Sequence, residues 1–165
     1  MKITIRLSPL SLLVPLSAGS FVEAQSPQPA TPEVRQVPVL SPTDERKTIQ
    51  LPEGYQLELV LSEPEIMEPV ACVFDGNGRM YVVEMRSYMQ DIDGNHEFDP
   101  VSRISRHEST KGDGVFDKHS AYLDNIVLPR MVLPLDDRVL VGMTNTSDIT
   151  MHRDVNGDGV ADESS

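Results

Sequence analysis

The sequence contains one cysteine, few basic residues and no long uninterrupted apolar run. The single thiol, Cys72, excludes a disulfide framework within the 165 residues. Its neighbours in "PVACVF" predict a small buried apolar side chain rather than a reactive thiol. With 14 Lys and Arg against 26 Asp and Glu, the chain offers no basic patch for a phosphate backbone, which argues against a nucleic-acid partner.

The common catalytic motifs are missing as well. There is no G-x-G-x-x-G after a predicted strand, no P-loop, no nucleophile elbow and no C-x-x-C-H haem motif. The four histidines have none of the paired spacing that is typical of metal-binding histidines. No catalytic residue can therefore be identified from the sequence.

The first 24 residues have the three parts of a secretory signal peptide. Lys2 and Arg6 form a basic start, "LSPLSLLVPLSAGSFV" follows as the apolar stretch, and Val22-Glu23-Ala24 is a small-x-small cleavage site. The apolar stretch is too short, and too broken by proline, for a transmembrane span. We therefore expect export to the periplasm or the extracellular space, with cleavage after Ala24.

The rest of the chain divides into a linker and a folded part. Residues 25–48 are rich in proline and predict an extended linker. Residues 49–165 contain short β runs and turn clusters, without a convincing helical period over 12 residues. The predicted strands are Tyr55 to Leu61, Val70 to Phe74, Met80 to Glu84, Arg103 to His107, His119 to Leu123, Met131 to Leu135, Arg138 to Met143 and Asp148 to Arg153.

Two parts of the folded region resemble each other. "FDGNGRMYVVEM" and "LDDRVLVGM" end on Met85 and Met143, 58 residues apart, and two later acidic turns carry Gly112 and Gly157, 45 apart. This repeat predicts an all-β fold, a partial β-propeller of about two blades of antiparallel strands. A propeller needs at least four blades, and the second copy stops at its acidic turn. We therefore expect an N-terminal piece of a longer protein, with the missing C-terminal blades as its partner.

The last acidic turn, "DVNGDGVADE", has the spacing of a calcium loop. Acidic or amide side chains alternate as in D-x-[DN]-x-[DN]-G, and Gly159 provides the sharp turn. The predicted ligands are Asp154, Asn156, Asp158, Asp162 and the backbone carbonyl of Val160. Ser165 occupies the place of the closing glutamate, so affinity should be weak, on the order of 10⁻⁴–10⁻³ M. The alternative is a turn between two strands without a bound ion.

Two earlier acidic segments fit an ion less well. In Ser109 to Asp117, Lys111 places an ammonium where a calcium ligand should stand, which predicts a simple turn. In "DIDGNHEFD", His96 replaces the turn glycine, which favours a solvated acidic loop.

Residues 51–163 resemble a known family. The stretches that carry the resemblance are "LPEGYQLELVLSEPEIMEPVACVFDGNGRMYVVEMRSY", "GDGVFDKHSAYLDNIVLPRMVLPLDDRVLVG" and "RDVNGDGVADE". They are similar to the N-terminal propeller of large exported bacterial proteins of the membrane-bound dehydrogenase family. These proteins are related to sorbosone and glucose dehydrogenases that use pyrroloquinoline quinone. In that family, helical repeats and a c-type haem domain usually follow the propeller, so haem c is expected only in a missing C-terminal part.

The resemblance implies a quinone cofactor over the propeller channel and a small sugar or aldehyde substrate. Arg86 and Arg130 are the candidate cofactor-binding residues, since a guanidinium can pair bidentately with a quinone carboxylate. The alternative for both is a solvated arginine at a strand end. Alone, the chain should be catalytically incomplete. A non-enzymatic, calcium-stabilised propeller module that binds a protein or glycan partner is the second function hypothesis.

Overall fold

The computed structural model describes residues 37–165, and the predicted signal peptide and the first half of the predicted linker, residues 25–36, lie outside the described residues. Residues 39–165 form one compact unit. The unit contains one short helix followed by eight strands in two antiparallel sheets, in agreement with the predicted all-β, partial propeller-like fold.

The helix α1 (Pro42–Thr48) lies inside residues 25–48, for which the sequence predicts an extended linker. Ser41 caps it, because its Oγ accepts a hydrogen bond from the backbone N–H of Asp44. Pro42 occupies the first turn, where a missing N–H costs nothing. No residue of α1 is buried, so this cap and a 2.7 Å ion pair between Lys47 and Asp44 stabilise the helix rather than packing.

The first sheet is a four-stranded antiparallel meander. Its strands are β1 (Pro69–Phe74), β2 (Met80–Glu84), β3 (Ser102–Glu108) and β4 (Lys118–Ile126). The turn between β1 and β2 is built on Asp75, whose Oδ1 accepts hydrogen bonds from the backbone N–H groups of Asn77 and Arg79. Gly78 closes this turn with φ +78°, a conformation that other residues rarely adopt.

The second sheet repeats this topology. Its strands are β5 (Pro129–Pro134), β6 (Val139–Met143), β7 (Ile149–Arg153) and β8 (Glu163–Ser164). The sequence predicts that the second copy ends at its acidic turn, before its outer strand. The structure differs, because Glu163 and Ser164 already pair with Arg153 and His152.

The strand registers define the repeat more closely than the sequence does. Pro69 pairs with Glu84 in the first sheet as Pro129 pairs with Met143 in the second, and both ladders contain a bulge one residue later. Glu84, not Met85, is therefore the counterpart of Met143, at a spacing of 59 rather than 58 residues. The predicted spacing of 45 residues is confirmed for the third strands of the two sheets. His107 in β3 pairs with Met80, and His152, 45 residues later in β7, occupies the same place opposite Val139.

The core lies between the two sheets. Its buried members are Tyr81, Val83, Ile104, Tyr122, Val132, Val139 and Val141. The rings of Tyr81 and Tyr122 meet edge to face with centroids 5.3 Å apart, a favourable aromatic geometry. Successive side chains of a strand point to opposite faces of its sheet, so alternate residues of these strands face the other sheet.

Two predictions of local structure are wrong. Residues 55–61 form no strand, and Leu57 and Leu59 remain about two-fifths exposed, because no neighbouring strand in the described residues forms a ladder with them. Cys72 is exposed rather than buried. In β1, Ala71 and Val73 face the core, so Cys72 points to the opposite face of the sheet.

That opposite face borders an apolar groove of about 550 Å³. Its lining comes from β1 and β2 on one side and from residues 58–61 on the other. Within residues 37–165, no helix is long and apolar enough to cross a membrane.

Candidate functional site

Arg86, the first predicted cofactor-binding residue, is engaged in an ion pair directly after β2. Its Nη2 lies 2.7 Å and its Nε 3.1 Å from Oε2 of Glu84. Glu84 is fully buried, and Arg103 donates to its other oxygen at 2.9 Å. The backbone N–H of Met67 also donates to Oε2 at 2.8 Å. The Arg86 guanidinium is therefore held by a structural cluster, which leaves little of it for a ligand.

Arg130, the second predicted cofactor-binding residue, is exposed at the start of β5. It lies between Pro129 and Met131, where the register of the β5–β6 ladder shifts. A bulge of this kind redirects a side chain and is often found next to binding sites. Of the four arginines on strands in residues 37–165, Arg130 is the one without a salt bridge, whereas Arg103, Arg106 and Arg153 are paired.

The predicted calcium loop follows β7 and is closed by its own backbone. Asp154 accepts hydrogen bonds from the N–H groups of Gly157 at 2.7 Å and of Gly159 at 2.9 Å. Asp162 accepts from the N–H groups of Val155 and Asn156. These bonds fix the loop as a series of tight turns, as the alternative interpretation of the motif expects.

The remaining predicted ligands also bond within the loop. Oδ1 of Asn156 accepts from the N–H of Asp158, and Oδ1 of Asp158 accepts from the N–H of Val160. Within the described part of the chain, no three His, Cys, Asp or Glu side chains are grouped so that they could hold a metal ion. Calcium binding at Asp154, Asn156, Asp158, Val160 and Asp162 stays a prediction.

A guanidinium from the other sheet reaches the same loop. Nη1 of Arg106, on β3, donates to Oδ2 of Asp154 at 2.7 Å, and Nη2 donates to Glu108. The Arg106 side chain is 4% exposed and that of Asp154 is 10% exposed. Burial raises the pKa of the Asp154 carboxyl, but the hydrogen bonds from Gly159, Gly157 and Arg106 outweigh it and lower the pKa. The carboxylate is therefore the stable form at neutral pH.

Backbone contacts complete this junction between the sheets. Ser120 Oγ donates to the carbonyl of Gly159 at 2.8 Å, and the N–H of Ala161 donates to the carbonyl of Tyr122 at 2.9 Å. Tyr122 Oη donates to the carbonyl of His152 at 3.1 Å. We call this set, with the Arg106–Asp154 pair, the inter-sheet clasp. Its partners lie 30 to 48 residues apart, so no local sequence pattern predicts it.

A pair of histidines lies on the other face of the first sheet. Nδ1 of His107 and Nδ1 of His119 are 2.7 Å apart, and Nε2 of His107 contacts Ser105 Oγ at 2.9 Å. His107 is fully buried. The repeat reproduces half of this arrangement, because Nε2 of His152 contacts Thr150 Oγ1 at 2.8 Å. The recurrence of histidine two residues after a hydroxyl, in "SRH" and "TMH", is a sequence signal that could have found it.

Burial and the neighbouring His119 lower the pKa of His107 to about 4. Between pH 6.5 and 4, the unfolded chain therefore binds a proton that the folded chain does not. The free energy of unfolding should fall with decreasing pH in this window, by about 1.4 kcal/mol per pH unit for this histidine. Burial also lowers the pKa of His152, which adds to the same trend. Urea denaturation at a series of pH values measures the slope.

Replacing His107 by Gln should reduce that slope. The matched control is His96→Gln, since His96 is exposed and pairs only with Asp99. Equal slopes in the wild type and in His107→Gln would show that the buried imidazole does not control the acid sensitivity.

The comparison with protein families gives one match, over residues 41–165, to a family described as "Domain of unknown function (DUF7133)". No curated protein and no solved structure gives a significant match. The matched range begins at Ser41, the N-cap of α1, and includes both sheets and the predicted calcium loop, residues 154–162, which we call the acidic loop. The chain therefore belongs to the DUF7133 family.

Proposed function

We propose that this chain contributes two blades to an exported, quinoprotein-type dehydrogenase propeller, in which they bind and orient rather than react. The observation that carries the proposal is Arg130, an exposed strand arginine without a salt bridge in the described residues, located at a bulge of β5. Two successive antiparallel meanders, with their first strands β1 and β5 packed side by side, support the blade arrangement.

Pyrroloquinoline quinone, when bound, supplies the two-electron chemistry of such dehydrogenases. The described residues fit it in part. Arg130 can offer a guanidinium to one of its carboxylates, whereas Arg86 is occupied by Glu84. The described residues therefore provide one anchor, and a complete cofactor site would need further residues. Sugar or aldehyde substrates are the proposed reductants, as the sequence resemblance implies.

Equilibrium dialysis of pyrroloquinoline quinone against the full chain tests this proposal. We expect weak, measurable binding to the wild type and a loss of roughly tenfold or more in Arg130→Gln, because a hydrogen bond to a charged group contributes about 1.5–3 kcal/mol. The matched control is Arg46→Gln, which removes an exposed arginine of α1. If the wild type does not bind at millimolar quinone, or if Arg130→Gln binds equally well, the result favours the non-enzymatic module.

A further inference from the structure

We infer that Arg106 takes the place of a metal ion in the acidic loop and competes with calcium for Asp154. The loop has calcium spacing, yet the positive charge at its first ligand position comes from the other sheet. Oδ2 of Asp154 accepts hydrogen bonds from both Arg106 Nη1, at 2.7 Å, and the N–H of Gly159, at 2.9 Å. Oδ1 accepts from the N–H of Gly157 at 2.7 Å. Three of the four lone-pair sites of the carboxylate are thus occupied, so a calcium ion would have to share Oδ1 with Gly157 or displace one of the donors from Oδ2.

Burial favours the Arg106–Asp154 pair over a calcium ion at Asp154. Both side chains of the pair are nine-tenths or more buried, so neither charge can turn to water if the pair separates. A buried charge that loses its partner is strongly unfavourable. Calcium binding at Asp154 would leave the Arg106 guanidinium beside a divalent cation and with one carboxylate fewer, although Glu108 would still accept from it.

In the first acidic loop, Ser109 to Asp117, a lysine of the loop itself supplies the positive charge. Lys111 is the counterpart of Asn156 at the repeat spacing of 45 residues, and its Nζ lies 3.7 Å from Oδ2 of Asp117. Asp117 is in turn the counterpart of Asp162. Both loops thus have a side-chain cation of the protein next to an acidic position of the motif. In the second loop this cation also joins the two sheets, which an ion within one loop would not do.

The repeat supplies a substitution that this fold already accepts. The ladder places Met151 opposite Leu140 as it places Arg106 opposite Tyr81, so Met151 is the counterpart of Arg106 in the second sheet. Arg106→Met therefore removes the guanidinium and keeps a side chain of similar length. The matched control is Arg79→Met, because Arg79 borders the same cavity of about 180 Å³ but pairs with Asp75 instead of Asp154.

The test is calorimetric titration of calcium into the full-length chain, combined with thermal melts in zero and millimolar calcium. We expect the wild type and Arg79→Met to bind calcium weakly or not at all. We expect Arg106→Met to bind it roughly tenfold or more tightly than the wild type, because a positive charge beside the ligand has been removed. Its melting temperature should then rise with calcium, and adding Asp154→Asn to Arg106→Met should abolish that rise.

Equal or weaker calcium binding by Arg106→Met, relative to the wild type, would overturn the inference. If Arg106→Met does not fold without the ion, millimolar calcium should restore its β-sheet circular dichroism, and magnesium should not. Failure of calcium to restore folding would also count against the inference. Neither readout involves the quinone, so this test is independent of the proposed dehydrogenase function.

Discussion

Replacing Glu84 by Ala should destabilise the protein by about 3–5 kcal/mol, the usual result of breaking a buried ion pair from one side. The Glu84 carboxylate is fully buried and binds Arg86, Arg103 and the N–H of Met67. Its removal leaves two guanidinium groups, each about one-fifth exposed, without their acceptor. It also leaves the backbone N–H of Met67 without a partner. Urea denaturation monitored by circular dichroism measures the loss.

Two controls separate charge from position in this experiment. Glu84→Gln keeps an acceptor for Met67 but removes the charge, so its loss should be smaller. Glu163→Ala breaks an exposed pair with Arg153 and should change stability by less than about 1 kcal/mol. A Glu84→Ala loss no larger than that of Glu163→Ala would contradict the structural role of the cluster.

The Glu84 cluster should also depend on pH in a defined direction. Burial raises the pKa of the Glu84 carboxyl, but hydrogen bonds from Arg103, Ser105 and Arg86 outweigh it, and the pKa lies below its usual value. Its contribution is therefore present above the pKa of an unfolded glutamate and is lost as pH falls through the folded value. On acidification, the loss of stability from His107 therefore begins at higher pH than the loss from Glu84.

Gly159→Ala should cost about 2–4 kcal/mol, since it combines backbone strain with loss of a hydrogen bond in the inter-sheet clasp. Gly159 has φ +98°, and a Cβ at this position would lie 2.6 Å from Ser120 Oγ, closer than real contacts allow. Ser120 must then move away from the Gly159 carbonyl to which it donates. The free energy of unfolding from urea titration is the measurement.

The chain contains a matched control two residues away. Gly157 also has a positive φ, +80°, but a Cβ there would meet no atom within 4 Å. Gly157→Ala should therefore cost only the conformational strain, about 1–2 kcal/mol. In a Ser120→Ala background, the penalty for Gly159→Ala should shrink, because the clashing atom is absent. Equal penalties at Gly157 and Gly159 would argue against close packing at the clasp.

The sequence predicted the parts of the fold that depend on local patterns. Seven of the eight strands follow from β-forming residues bounded by Gly, Asn and Asp, and the Asp75 turn follows from "DGNG". The helix α1 was missed although "SPTD" before "ERK" carries a cap and an N-terminal proline, because the proline content of residues 25–48 outweighed that signal. Residues 55–61 have a strand pattern, but a pattern cannot reveal whether a partner strand is present.

The site was less predictable for the same reason. Which charges meet depends on how the sheets pack, and Arg106 lies 48 residues before Asp154. Arg86 and Glu84 are close in sequence, but the sequence does not show that Glu84 is buried. It also does not show that Arg103 approaches Glu84 from β3. The motif of the acidic loop could be read from its spacing, whereas the identity of its counter-charge could not.

The meander topology has a consequence for how the chain folds. Every ladder joins strands that follow each other in sequence, so each sheet grows by local hairpins that close short loops. The contacts between sheets connect more distant residues, so we expect them to form later. During synthesis, the first sheet has all four of its strands once Ile126 has left the ribosome, before any strand of the second has emerged. Its core-facing side, with Tyr81 and Tyr122, must then wait for β5 and β6 to cover it.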